Sequence, residues 1–325
     1  MDTLAIPRLP VGRYRIEFFA DTPVDLGDFP GSPWRGALGH ALRRTVCVAR
    51  GQECKACMLY RSCAYPYLFQ TPVPETAPKM RRYETAPPPY VIDAPAHTDA
   101  TLHYPLELTL IGIANHHFPI VLHALRQAAG SGRGIAGHRL RLGRVAQETA
   151  PGSGEWLPIY EDGGALTPSP PAVMTIPPCP QHVGIRLHTP LRLKRDGRHV
   201  GPGDFRFADL FGNLLRRISL LTCFHTDVPL ETDFKSLVTQ AKEIGITHRL
   251  TWKEQSRYSA RQKTRMQYGG LLGDIELREQ AIAPFWPYLW IGQWVHAGSG
   301  VTMGLGAYRL TASLPANDHG GCHHP

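Results

Sequence analysis

Four cysteines, Cys47, Cys54, Cys57 and Cys63, stand in a C-x6-C-x2-C-x5-C array within seventeen residues. Thiolates gathered by one short loop suit tetrahedral zinc, and C-x2-C is the usual chelating knuckle. An iron-sulfur cluster is the competing occupant, and four unligated thiols are the plain alternative. With all four positions filled by protein, such a metal is structural rather than catalytic. A second candidate centre is His40, flanked by Arg35, Arg43 and Arg44. Histidine titrates near neutrality, so it can take the proton of a ribose 2′-hydroxyl or give one to a leaving 5′-oxygen. That cleavage needs no catalytic metal, because the nucleophile is already in the substrate. One of the three arginines could offset the charge building on the phosphate. Against this stands the ordinary fate of a helix histidine, packing or solvation. His296, just before a glycine-rich stretch, is the rival, and no motif singles out the other fourteen of the sixteen histidines.

Two further segments have the composition of a polyanion site. In RYSARQKTR, residues 257–265, a helix would align Arg257, Arg261 and Arg265 at i, i+4 and i+8, with Lys263 close by and Tyr258 offering a stacking surface. A solvated charged face is the competing explanation, but only one acid, Glu254, is near. The stretch HAGSGVTMGLGAYRL places Gly298, Gly300, Gly304 and Gly306 where backbone could approach a phosphate or base. It is not the dinucleotide fingerprint, since the third glycine falls one residue late and the loop runs into a strand rather than out of one. Tight turning alone would also call for these glycines.

The elements that must position these residues repeat once along the chain. ALGHALRR at 37–44 corresponds to LFGNLLRR at 210–217, and GSGRGIAGHRL at 130–140 to GSGVTMGLGAYRL at 298–310. His40 therefore stands where the second half has Asn213. Alternation predicts strands at 13–19 and 183–193, with a break at Pro190, and further strands at 102–113 and 244–251. Helices are predicted over 32–46, with Ser32 as N-cap and Pro33 near the first turn, and over 209–224, capped by Asp204 or Asp209. Second helices are predicted over 118–129 and 281–291, the latter containing Pro284 and Pro287. A βαββαβ unit of this size is ferredoxin-like, or RRM-like. The expected class is thus α+β: two tandem ferredoxin-like domains, 1–150 and 181–312, with a metal-binding insertion, 47–63, in the first. Residues 151–180, rich in Pro and Gly, are predicted as a linker, and 313–325 as a flexible tail.

Composition agrees with a nucleic-acid partner. The 325 residues carry 35 Lys and Arg against 27 Asp and Glu, a formal charge of +8, and 42% are apolar, enough for a core. Seven cysteines, an odd number, fit metal ligation in a reducing compartment better than disulfides. No opening leader pattern and no long apolar run are present, so the expectation is a soluble, cytoplasmic chain with no membrane partner.

Together these motifs resemble the Cas6 family of the RAMP superfamily, the endoribonucleases that process CRISPR precursor RNA. The resemblance runs from about residue 12 to 312. It is carried most specifically by 257–277 and 296–310, with TPLRLKRDG at 189–197 and LLRRISLL at 214–221 in support. SPWRGALGHALRRTVC, the cysteine array and YPYLF at 65–69 are similar to a zinc-containing branch. What this implies is a glycine-rich loop at the RNA and metal-independent cleavage within the CRISPR repeat. The products would be a 5′-hydroxyl and a 2′,3′-cyclic phosphate, and other CRISPR effector subunits would be further partners. A histidine near the first helix is common in the family, and His40 fits that place. A non-catalytic RAMP subunit that binds guide RNA is the alternative, with a zinc-dependent DNA-binding protein as a third.

Overall fold

The computed structural model describes residues 6–73, 85–96, 100–254, 256–259, 264–277 and 282–311. The first half contains β1 (Pro10–Phe19), α1 (Gly31–Val46), the short α2 (Ala64–Phe69), β2 (Tyr90–Asp93), β3 (His103–Ile111), α3 (Phe118–Gly130) and β4 (Arg141–Glu148). Two edge strands follow, β5 (Trp156–Tyr160) and β6 (Ala172–Val173). The second half contains β7 (Val183–Leu191), the β8 (Lys194–Arg195) and β9 (Arg198–His199) hairpin, α4 (Phe207–His225), α5 (Phe234–Ala241) and β10 (Ile246–Lys253). It ends with the β11 (Ser256–Ser259) and β12 (Thr264–Gln267) hairpin, β13 (Gly270–Leu277), α6 (Trp286–Val295) and β14 (Tyr308–Thr311).

The chain is α+β with two antiparallel sheets, ordered β2-β3-β1-β4-β5 and β10-β13-β7-β14. If each half is numbered by its own principal strands, both sheets run second, third, first, fourth. The sequence repeat is therefore a repeat of topology. Alternation along β1 sends Tyr14, Ile16 and Phe18 into the core and leaves Arg13, Arg15 and Glu17 on the opposite face. On α1 the buried residues Trp34, Leu38, Ala41 and Leu42 form one stripe at helical spacing. That stripe and the apolar face of α3 cover the sheet, with Phe118 stacked on Tyr14 at 3.7 Å between centroids. In the second half Phe207, Leu210, Phe211, Leu214 and Ile218 of α4 do the same work, joined by Leu289 and Ile291 of α6. This second core also takes in Leu9, Val11, Ile111 and Met174 from the first half, so the two halves pack as one body.

Several local expectations change. Helix α1 begins at Gly31 with Pro30 at the N-cap, so Ser32 lies inside the first turn rather than at the N-cap position. In α4 the acid acts from the third helical position: Asp209 Oδ2 accepts from the Arg206 amide at 3.0 Å. Helix α6 starts five residues later than expected, because proline is tolerated in a first turn but not in a helix interior, and Pro287 takes that place. The stretch read as a linker supplies β5 and β6, which pair with β4 and β1. Strand β5 carries Pro158 and buries only Ile159, so it is an edge strand with almost no apolar period to read. The described residues of 257–265 are not helical but belong to the β11–β12 hairpin, with Tyr258 opposite Arg265 and Arg257 opposite Met266. Arg261, Lys263 and the tail from 312 lie outside the described residues. Among the described residues no helix is long and apolar enough to cross a membrane.

Candidate nucleic-acid interface and cleavage site

The repeated helix motif has two fates. In α4, Asn213 Oδ1 accepts the Gly298 amide at 2.7 Å, and the buried Arg217 donates from Nε to the Val295 carbonyl at 2.8 Å. Both side chains thus fasten the start of the glycine-rich loop. Burial pushes the Arg217 guanidinium down to about 10. In α1 the corresponding residues, His40 and Arg44, are exposed, as is Arg43. His40, Arg43 and Arg44 lie at i, i+3 and i+4 on the outer face, opposite the Trp34 and Leu38 stripe. Gly39 on the flank of that face lets the Phe69 ring of α2 come close, since a β-carbon there would lie 2.9 Å from it. Arg43 passes 5.8 Å from the Tyr65 ring and donates to the Gln52 carbonyl at 3.3 Å. Arg35 is half-buried at the start of α1, its Nε on Thr302 Oγ1 at 3.0 Å and its guanidinium 5.2 Å from the Phe69 ring.

His296 does not share this access. It is 3% exposed, with φ of 58° and Nδ1 3.3 Å from the Leu305 carbonyl, which the ring must donate to. Burial, reinforced by the Arg309 and Arg217 charges, pushes its pKa down to about 3. The structure therefore places His296 inside the fold, whereas His40 faces solvent. The glycines also divide. Gly304 and Gly306 are buried; a β-carbon would lie 2.8 Å from the Ile92 carbonyl at one and 1.8 Å from the Ala297 carbonyl at the other. Both allow close packing of the backbone. Gly298 and Gly300 are half-buried and flank the exposed Ser299, so only this first part of the loop opens to solvent.

Strand directions bring more basic residues to the same end. Strands β7 and β10 both end where β13 and β14 begin. The β8–β9 hairpin, the β11–β12 hairpin with Arg257, Tyr258 and Arg265, and the glycine-rich loop therefore leave the second sheet at one end. There the Arg192 guanidinium lies 4.9 Å from the Tyr268 ring and 3.0 Å from His199 Nε2. Lys194 and Arg198 are exposed beside them, and Arg195 is held by Asp209. These residues had a sequence signal, the TPLRLKRDG stretch, but nothing in it said that β8 and β9 would turn back beside the other loops.

Cys47, Cys54, Cys57 and Cys63 are free, half-buried and line one small cavity with Val46, Leu59 and Tyr65. Burial raises the Cys54 thiol; Arg43 opposes this, and the neighbouring Cys47, Cys63 and Cys57 add to it. Soft donors thus share a site, yet among the described residues no group of three or more His, Cys, Asp or Glu is drawn together at metal-holding geometry. The expected metal insertion is not shown.

A family model described as the CRISPR-associated endoribonuclease Cas6 matches residues 185–308, and one described as an N-terminal domain, AF_1859_N, matches 9–171. Among solved structures, a Cas6 product complex superimposes with a TM-score of 0.56 at 16% identity, covering 93% of this chain and 100% of that one. A Cas6 of Thermus thermophilus gives 0.50 at 14% identity, covering 93% and 99%. A chain of a partial Cas6-RT-Cas1–Cas2 complex gives 0.53 at 12% identity, covering 97% of this chain and 48% of that one. No curated protein matches. At such identities the structural likeness speaks for the fold.

Proposed function

We propose that this chain, whose residues 185–308 match the model of the CRISPR-associated endoribonuclease Cas6, cuts CRISPR repeat RNA with His40 as general acid or base and with no catalytic metal. The reading rests on one observation above the rest: the duplicated helix uses Asn213 for packing, while His40 at the same place faces solvent beside Arg43 and Arg44. A solvated imidazole can exchange a proton with the ribose 2′-hydroxyl or the departing 5′-oxygen. The two arginines, a turn further along the same face, would stabilise the phosphorane charge. In-line attack by the 2′-oxygen forms its bond to phosphorus as the bond to the 5′-oxygen breaks, leaving a 2′,3′-cyclic phosphate and a 5′-hydroxyl.

Each half, in this reading, is a ferredoxin-like unit, a reading supported by the shared strand order. The β11–β12 hairpin, with Arg257, Tyr258 and Arg265 on its strands, holds the repeat from the C-terminal side, together with Arg261 and Lys263, which lie between the strands in sequence. Such a chain works in the cytoplasm on transcripts and hands its product to other CRISPR proteins. Cys47, Cys54, Cys57 and Cys63 would hold a structural zinc; the cavity that all four line supports this.

Single-turnover cleavage of a repeat RNA in EDTA tests the mechanism. His40→Ala should slow the chemical step by about a hundredfold or more while leaving RNA affinity unchanged. Cleavage by His40→Ala at the wild-type rate would remove His40 from the chemistry. Tight binding with no cleavage by the wild-type chain would make it a non-catalytic RNA-binding subunit.

A further inference from the structure

The loop between α1 and α2 carries a charge pattern that the reading above does not use. Three cations project from residues 50–61, Arg50, Lys55 and Arg61, all exposed and accompanied by a single acid, Glu53. Arg43 and Arg44 enter the same surface from the last turns of α1. Cations at a helix C-terminus answer the helix dipole, and that alone would account for these two. It does not account for the other three, which lie outside the helix.

The loop is also shaped to present them. The Cys57 amide donates to the Cys54 carbonyl at 3.1 Å, Tyr60 to Cys57 at 2.9 Å and Cys63 to Leu59 at 2.8 Å, so successive turns fix the backbone. Arg61 is steadied by the Val73 carbonyl at 3.2 Å. Between the cations stand two apolar tips, Met58 at 95% exposure and Val48 at 78%. Apolar side chains this bare amid positive charge suit a ligand with a charged backbone and flat apolar faces, which is single-stranded nucleic acid. The surface continues directly from the outer face of α1, where Gly36, His40, Arg43 and Arg44 are exposed in one line.

We propose that the cysteine loop, residues 47–63, is an RNA-contacting element that takes the sugar-phosphate backbone of a single-stranded segment running along α1 past His40. The identity of that RNA as a CRISPR transcript rests on the functional reading above; the contact itself does not. RNA would thus meet the chain at two places, the hairpin end of the second sheet and this loop, with His40 between them.

The test is binding by the full chain to a fluorescein-labelled poly-uridine strand and to a labelled repeat RNA, over a series of salt concentrations. Replacing Arg50, Lys55 and Arg61 together by alanine should weaken both by about tenfold or more and reduce the salt slope by about 2, at roughly 0.7 per lost phosphate contact. Arg50→Lys with Arg61→Lys, which keeps the charge, should bind within about twofold of wild type and shows whether the loop tolerates substitution. Unchanged affinity and slope in a triple variant that melts like wild type would overturn the proposal. So would a loss confined to a labelled poly-glutamate peptide, which would assign the loop to an acidic protein. Poly-uridine binding depends neither on repeat recognition nor on His40, so a wild-type chain that fails to cleave would undo the functional reading and leave this measurement intact.

Discussion

At the scale of single residues the duplicated helix acts as an internal control. Position 40 and its counterpart 213 each follow a glycine and precede a Leu-Arg-Arg run, but one side chain is exposed and the other binds a backbone amide at 2.7 Å. The same holds for Arg44 and Arg217, the second buried against Val295. A residue released from packing in one copy is free to do chemistry there. The cysteines belong to this scale too. If the proposed zinc is bound, the wild-type protein should purify with about one equivalent of it and Cys57→Ser should lose it with a lowered Tm, while cleavage by the wild-type chain should persist in EDTA, as a purely structural metal would take no part in the reaction. Iron in place of zinc would substitute a cluster, and a wild-type chain without either would remove the metal altogether.

At the scale of elements the glycine-rich loop is decided by backbone geometry. Gly306 has φ of 71° and no room for a β-carbon. Gly306→Ala should therefore cost about 2–4 kcal/mol in denaturant unfolding, combining a left-handed backbone with a clash in a packed interior. Gly36, in the exposed interior of α1 with nothing within 4 Å of its would-be β-carbon, is the opposite case. Gly36→Ala should be neutral or stabilise by up to about 1 kcal/mol through helix propensity. If both variants unfolded alike, the loop would not be the constrained element described above. The hairpins illustrate a different point. A run of arginines at i, i+4 and i+8 is consistent with a helical stripe only if the segment is helical, and β10 and β13 impose a strand pairing on it instead.

At the scale of the whole molecule, the halves are joined by buried polar contacts as well as by the shared core. His225, at the end of α4, receives the Tyr67 hydroxyl at Nδ1 and donates from Nε2 to the Pro87 carbonyl, both at 2.9 Å. That pattern requires the neutral ring. Burial pushes its pKa down to about 4, the Pro87 carbonyl working against the shift and the Arg217 charge with it. Folding thus disfavours the proton that the unfolded chain binds below about 6.5. His225 contributes stability that is complete above that pH and is lost as pH falls towards 4, on the order of 3 kcal/mol in all. His296 adds a loss of the same sign reaching to about pH 3. Urea unfolding at pH 7 and pH 5 should show this decline, and His225→Gln, which can still donate and accept, should flatten it. An equal decline in the variant would place the acid sensitivity elsewhere. Arg309 of β14 lies among Arg13, Asp93, Glu107 and Glu148 of the first half, so charge between the sheets also joins the halves.

Much of this was legible in the residues alone. Apolar period marked β1, β3, α1, α3 and α4, because those elements each bury one face and must alternate. The internal repeat revealed a fold used twice, and the family resemblance reached the same activity that the C-terminal match supports. The cysteine array and His40 were visible by type and spacing. What sequence could not decide was which candidate faces outward. His40 and His296 look equally able to move a proton until packing seals one and exposes the other. Gly298 and Gly306 look alike until the Ala297 backbone and the Pro190 carbonyl of β7 enclose the second. Strand β5 and the β11–β12 hairpin were hidden for a related reason: neither carries a strong apolar period, and both are fixed by the strands beside them. Local pattern records what a segment buries, whereas accessibility at a site depends on what distant segments bring to it.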